Sequence, residues 1–138
     1  MKINKVIHEL KKGKKLFKGA VVEFENYSED SCRLAFNTFK LNKVPATLVV
    51  FYSSYQQAIF IDYKPIGLSL PEDRLSTFNS VCNFFAAKKE KNDFIFFRAN
   101  YIANEKYIGV VLKQTVDYLK SEVFVELLED HCTPNSKF

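Results

Sequence analysis

The chain has 138 residues, 47% of them hydrophobic and 26% charged. These proportions match an ordinary globular protein, exclude wholesale disorder and allow one sizeable core. With only 4 Gly and 4 Pro there is no room for long Gly-rich ligand loops, and no apolar run approaches the ~20 residues of a membrane-spanning helix.

The net charge of +4 is concentrated at one end. Residues 1–18 hold seven lysines (Lys2, Lys5, Lys11, Lys12, Lys14, Lys15, Lys18) against Glu9, leaving −2 for everything after them. That N-terminal stretch lacks the apolar segment of a secretory signal. Cys32, Cys82 and Cys132 stand fifty residues apart, with neither disulfide-framework nor C-x-x-C spacing. Small apolar filler in a reducing cytoplasm is the expectation.

Ile3, Val6, Ile7 and Leu10 recur at helical spacing, which predicts a basic helix over residues 2–12, extendable to Phe17. From Gly19 the period becomes two. Ala20, Val22 and Phe24 form one strand, Asn26–Ser31 a turn, and Cys32, Leu34 and Phe36 a second strand. After a break at Asn42–Pro45, the continuously apolar Thr47–Phe51 predicts a central strand buried on both faces. Ser53–Gln57 turns into a fourth strand through Ile59, Phe60, Ile61 and Tyr63, ended by Pro65 and Gly67.

Ser69-Leu70-Pro71-Glu72 reads as a capping box opening a second helix. Its stripe is Leu75, Phe78, Cys82 and Phe85, widened by Val81, and Lys88–Asp93 closes it. Phe94–Ala99 is a fifth strand, apolar on both faces. Ala103–Lys106 is read as a hairpin turn into a sixth strand, Tyr107–Leu112. A last helix is placed from Asp117, carrying Leu119, Val123, Phe124, Leu127 and Leu128, and the tail over 133–138 is expected to be mobile. The expected fold is α+β, in the order α-ββββ-α-ββ-α. Residues 1–132 form one domain built on a mainly antiparallel sheet of five to six strands with helices on one face.

No catalytic motif emerges, so no enzyme, cofactor or metal is expected. His131, Cys132 and Asp130 are neighbours in sequence and cannot face one another on a helix. His8 sits at the rim of a helical stripe, and two histidines with scattered cysteines give no zinc spacing. The carboxylate pairs Glu29/Asp30, Glu72/Asp73 and Glu129/Asp130 belong to turns or helix ends. Asn79 and Asn83, one helical turn apart, are read first as a solvated polar flank, with capping of strand backbone or contact with a partner as alternatives. The lysine cluster carries three readings, namely phosphate backbone, an anionic surface or an acidic protein. Only Arg33, Arg74 and Arg98 are present to read bases.

From Pro71-Glu72-Asp73-Arg74-Leu75 through Asn79, Asn83, the Phe94–Leu112 hairpin and the last helix, the element order resembles that of type III secretion chaperones and YbjN-type sensory regulators. The resemblance implies a non-catalytic, often dimeric binder of other proteins. Two departures stand against it, an extra strand before the middle helix and a basic pI of about 8.9.

The expected function is therefore a cytoplasmic, chaperone- or adaptor-like module that grips another protein and has enough aromatic surface to pair with itself. The alternatives are a toxin-neutralising immunity protein and a nucleic-acid-binding domain using the N-terminal lysines. The expected partner-binding residues are Lys11, Lys12, Lys14, Lys15, Tyr55 and Tyr101.

Overall fold

The computed structural model describes residues 3–17, 19–26, 31–41, 44–89, 94–102 and 105–134. Its order is α1 (Ile3–Lys12), β1 (Val21–Asn26), β2 (Ser31–Leu41), β3 (Val44–Ser53), β4 (Ala58–Pro65), β5 (Leu68–Ser69), α2 (Leu75–Val81), β6 (Phe85–Lys89), β7 (Phe94–Ile102), α3 (Ile108–Lys120), α4 (Glu122–His131) and β8 (Thr133–Pro134). Short 3₁₀ turns precede β1, α2 and α3. The fold is α+β, with a six-stranded sheet ordered β1-β2-β3-β4-β7-β6 in which every pair is antiparallel.

Register explains which side is covered. One row crosses all six strands through Val22, Phe36, Leu48, Tyr63, Phe97 and Ala86. The helices pack on this side: Phe78 of α2 meets Phe97 edge-on at 5.0 Å, and Phe124 of α4 meets Tyr63 at 5.6 Å. After α1 the chain crosses close to the sheet at Gly13, where a Cβ would come within 2.9 Å of Leu112 Cδ1 and 3.7 Å of Phe36 Cζ. Among the described residues, all helices lie on this one face.

The middle and end of the chain depart from the periodicity reading. The second helix stops at Val81, and Phe85 stands on an edge strand, 62% exposed. The cause is packing. Phe78 and Phe84 are both fully buried, yet on a continuous helix they would point about 120° apart. Breaking the helix at Cys82 turns both inward, and Phe84 joins Tyr63, Tyr118 and Phe124 in an aromatic cluster. Of the expected stripe, only Phe78 is fully buried, while Leu75 and Cys82 are half-buried. Ser69 pairs with Thr133 in β5 and β8, and a 3₁₀ turn over Glu72–Arg74 comes before the helix. The tail is therefore pinned at 133–134, and 135–138 lie outside the described residues.

Tyr107–Leu112 is not a sixth strand: Ile108–Lys120 is helix, with Ile108, Leu112, Thr115, Val116 and Leu119 buried at helical spacing. The partner of β7 is instead β6, which the sequence had joined to the second helix. The expected turns at 27–30, 90–93 and 103–104 lie outside the described residues. The last helical region divides at Ser121, whose Oγ accepts from Phe124 N at 3.2 Å and caps α4. Capping turns Phe124 and Leu128 inward and leaves Val123 exposed. Finally, Val44–Ser53 alternates in burial instead of being covered twice.

Candidate interaction surface

The side of the sheet without helices carries a second row across all six strands: Glu23, Ala35, Val49, Asp62, Arg98 and Phe85. At its centre the Arg98 guanidinium holds the Asp62 carboxylate in a two-pronged pair, Nε to Oδ1 at 2.6 Å and Nη2 to Oδ2 at 2.8 Å. Beside it runs the row Glu25, Arg33, Phe51, Phe60 and Asn100. Arg98 leans over both aromatic rings of that row, 5.0 Å from the Phe60 centroid and 5.8 Å from that of Phe51. The arginine thereby covers Asp62, which is 7% exposed, while its own side chain stays 45% exposed.

Paired charge continues towards β1. Arg33 Nη1 donates to Glu25 Oε1 at 3.3 Å, and Asn37 Nδ2 donates to Glu23 Oε1 at 3.1 Å. The Asp62 hydrogen bonds raise the Arg98 pKa, against the opposing effect of burial, so this cation is fixed. What results is a flat platform of aromatic rings and a guanidinium whose charge is already matched. Phe85, Val21 and the 84%-exposed Ile102 enlarge its apolar part.

The residues proposed from sequence do not converge on one surface. Lys11 lies over the Phe24 ring at 5.3 Å, on the helix side, and Lys12 pairs with Glu9 at 3.2 Å. Lys14 and Lys15 are exposed on the 3₁₀ turn that follows. Tyr55 is 88% exposed at the β3–β4 turn. Tyr101 turns towards the helices, its hydroxyl 2.9 Å from Thr115 Oγ1. The platform residues Phe51, Phe60, Asp62 and Arg98 were missed. Their signal is an acid and an arginine inside two mainly apolar strands.

The three cysteines are governed by burial. Burial pushes the Cys32 and Cys132 thiols up to about 11, Cys132 with some help from Cys82, and burial also raises Cys82. All three are held as thiols, the unreactive form. The His131 Nδ1 is buried without a partner among the described residues, its ring edge-on to Phe78 at 6.1 Å. Among the described residues, no three His, Cys, Asp or Glu side chains gather as a metal site, and no helix is long and apolar enough to cross a membrane. No family model, curated protein or solved structure matches the chain.

Proposed function

We propose that the chain is a non-catalytic protein-binding module, chaperone- or adaptor-like, that holds a partner protein on the helix-free face of its sheet. The observation that carries this reading is the Phe51–Arg98–Phe60 platform with Asp62 beneath it. Arginine is enriched at binding hot spots and aromatic residues at interface cores, and Arg98 is already ordered by its pair with Asp62. The pairing of Arg98 with Asp62 means that covering the centre of this face strands neither of these two charges.

The platform carries Glu23, Glu25 and Asp62 against Arg33, Lys64 and Arg98, with Lys40, opposite Pro45, adding one further cation at the β2–β3 end. Such near-balance suits a protein surface better than a polyanion, which calls for a large excess of positive charge. Self-association would use the same exposed apolar residues, and sedimentation of the 16.0 kDa chain reads it directly.

The deciding experiment identifies a partner by photo-crosslinking from the face, then measures its affinity for the intact chain, Phe60→Ser and Arg98→Ala. A loss of about tenfold or more in either variant, with little salt dependence, supports the proposal. Undiminished binding by both variants would remove it.

A further inference from the structure

The sheet has a gap in one edge, and its backbone specifies what would fill it. Strand β7 is staggered between its neighbours: β4 pairs with it from Phe97 to Ile102, whereas β6 pairs only from Phe94 to Arg98. Among the described residues, no strand lies beside Ala99–Ile102 on the β6 side. There the chain bends away, and the Asn83 N–H donates to the Tyr118 hydroxyl at 3.1 Å instead of to β7.

Alternation fixes which peptide groups this leaves at the edge. The Ala86 N–H and C=O both bond the Asn79 side chain, at 2.6 and 3.0 Å, and so point away from β7. In an antiparallel ladder successive residues alternate sides. Phe85 therefore exchanges its bonds with Arg98, and the β7 residues whose N–H and C=O face the β6 side are Arg98, Asn100 and Ile102. Beyond Phe85 nothing in the described sheet meets Asn100 and Ile102. A cavity of about 340 Å³ opens beside them, lined by Asn83, Phe84, Tyr101, Gln114 and Tyr118 with no charged residue. Its two tyrosine hydroxyls are already bonded, Tyr101 with Thr115 and Tyr118 with Cys82 and Asn83.

We infer that this gap is a strand-addition site: an extended segment of the partner protein continues the line of β6, antiparallel to β7, and exchanges hydrogen bonds with the Asn100 and Ile102 peptides. Backbone pairing supplies the attachment and alternate side chains the selectivity. Phe84 holds the place beside Ala99, so the residue of the segment that opposes Tyr101 sends its side chain into the cavity, where an uncharged lining with side-chain amides selects a neutral group. The residue opposing Ile102 lies on the platform face. The inference rests on the protein-binding reading above and gives it a mode and an address.

The probe is a random decapeptide library displayed on phage and selected on the full chain, with the best binder resynthesised carrying one N-methyl group at each position in turn. N-methylation at every second residue should weaken binding about tenfold or more, with the intervening positions tolerant, because only alternate amides face β7. Asn100→Pro should weaken binding to a similar degree while leaving the melting temperature near that of the parent, since proline is tolerated where a strand N–H faces an open edge. Hydrogen exchange supplies a check that needs no variant. The Asn100 and Ile102 amides should exchange far faster than those of Ala99 and Tyr101 in the free chain, and slow down when the peptide binds. A selection that yields no binder, an N-methyl scan without alternation, or equal protection of Asn100 and Tyr101 in the free chain overturns the site. If the selected peptide is lost by Phe60→Ser and retained by Asn100→Pro, strand addition fails while the platform reading stands. Retention by both variants removes both.

Discussion

The side-chain amide of Asn79 closes a ring with the peptide of Ala86, donating from Nδ2 to the carbonyl at 3.0 Å and accepting the N–H at Oδ1 at 2.6 Å. Asn79 belongs to α2 and Ala86 to the outermost strand. An edge strand presents a row of unpaired peptide groups that invites pairing with other chains. Here one helical amide occupies the Ala86 peptide of that row on β6.

Asn79→Ala should therefore act in two ways. Losing two hydrogen bonds to a buried residue should destabilise the chain by about 2 kcal/mol. At this chain length that corresponds to a fall in melting temperature of about 6–8 °C. Freed β6 backbone should also raise the tendency to aggregate, read by light scattering below the melting transition. A variant as stable and as monodisperse as the parent would show that the amide ring contributes nothing.

Phe84→Ala tests the account of why the second helix ends early. Its ring touches Tyr63, Tyr118 and Phe124 at about 6 Å between centroids. Removing a fully buried aromatic residue costs about 3–5 kcal/mol. Phe85→Ala, one residue on and 62% exposed, should change stability by less than about 1 kcal/mol. Denaturant unfolding of the two variants compares them directly, and similar losses would contradict the break at Cys82.

The contrast between these neighbours also marks what could be read from the sequence. Periodicity of two locates the first two strands and apolar runs bounded by turns the next two, and the α+β class with helices on one face follows from their hairpin order. Spacing alone favours a solvated flank for Asn79 and Asn83, with strand capping as the lesser alternative, yet Asn79 caps the Ala86 peptide. Two short apolar segments were assigned to the wrong period. Phe85 fits a helical stripe from Leu75 as well as it fits a strand, and only the need to bury Phe84 decides between them. Tyr107–Leu112 is rich in β-branched residues, and its helical period shows only when Thr115, Val116 and Leu119 are added. The platform was hidden for a different reason. Asp62 and Arg98 are 36 residues apart, and their pairing depends on β7 lying beside β4, which local pattern does not encode.

The N-terminal lysines give a prediction that separates partner classes. Changing Lys11, Lys12, Lys14 and Lys15 to Gln should leave binding of a protein partner at the platform nearly unaltered and its salt dependence shallow. These side chains sit on the helix side or on the turn beyond it, away from Phe51 and Phe60. A polyanion partner behaves otherwise: its affinity falls with salt at a log–log slope of roughly −0.7 to −0.9 per phosphate neutralised. Titration of the chain with single-stranded RNA at two salt concentrations reads the difference. Tight RNA binding that vanishes in the four-lysine variant would replace the protein-partner proposal.

Stability at alkaline pH is the last prediction, and its sign follows from the buried acids. Burial raises Cys32 and Cys132 from an ordinary value of 9.0 to about 11 and Tyr118 from 10.0 to about 12, and it raises Tyr63 further. Each group holds its proton more tightly folded than unfolded, so the unfolded chain binds fewer protons once the pH passes 9. Stability falls with pH wherever the unfolded state is the less protonated. The contribution is fully present below pH 9 and is lost as the pH rises through about 11. For Cys32, 1% exposed, a shift of this size corresponds to roughly 2–3 kcal/mol. Urea unfolding midpoints should be level from pH 7 to 8.5 and drop steeply above pH 9. Cys32→Ala should lower the midpoint at pH 7 through the small cavity it leaves, yet reduce the fall between pH 9 and 11 by the share of one thiol. A fall in Cys32→Ala as steep as in the parent would mean that this thiol does not titrate differently in the two states.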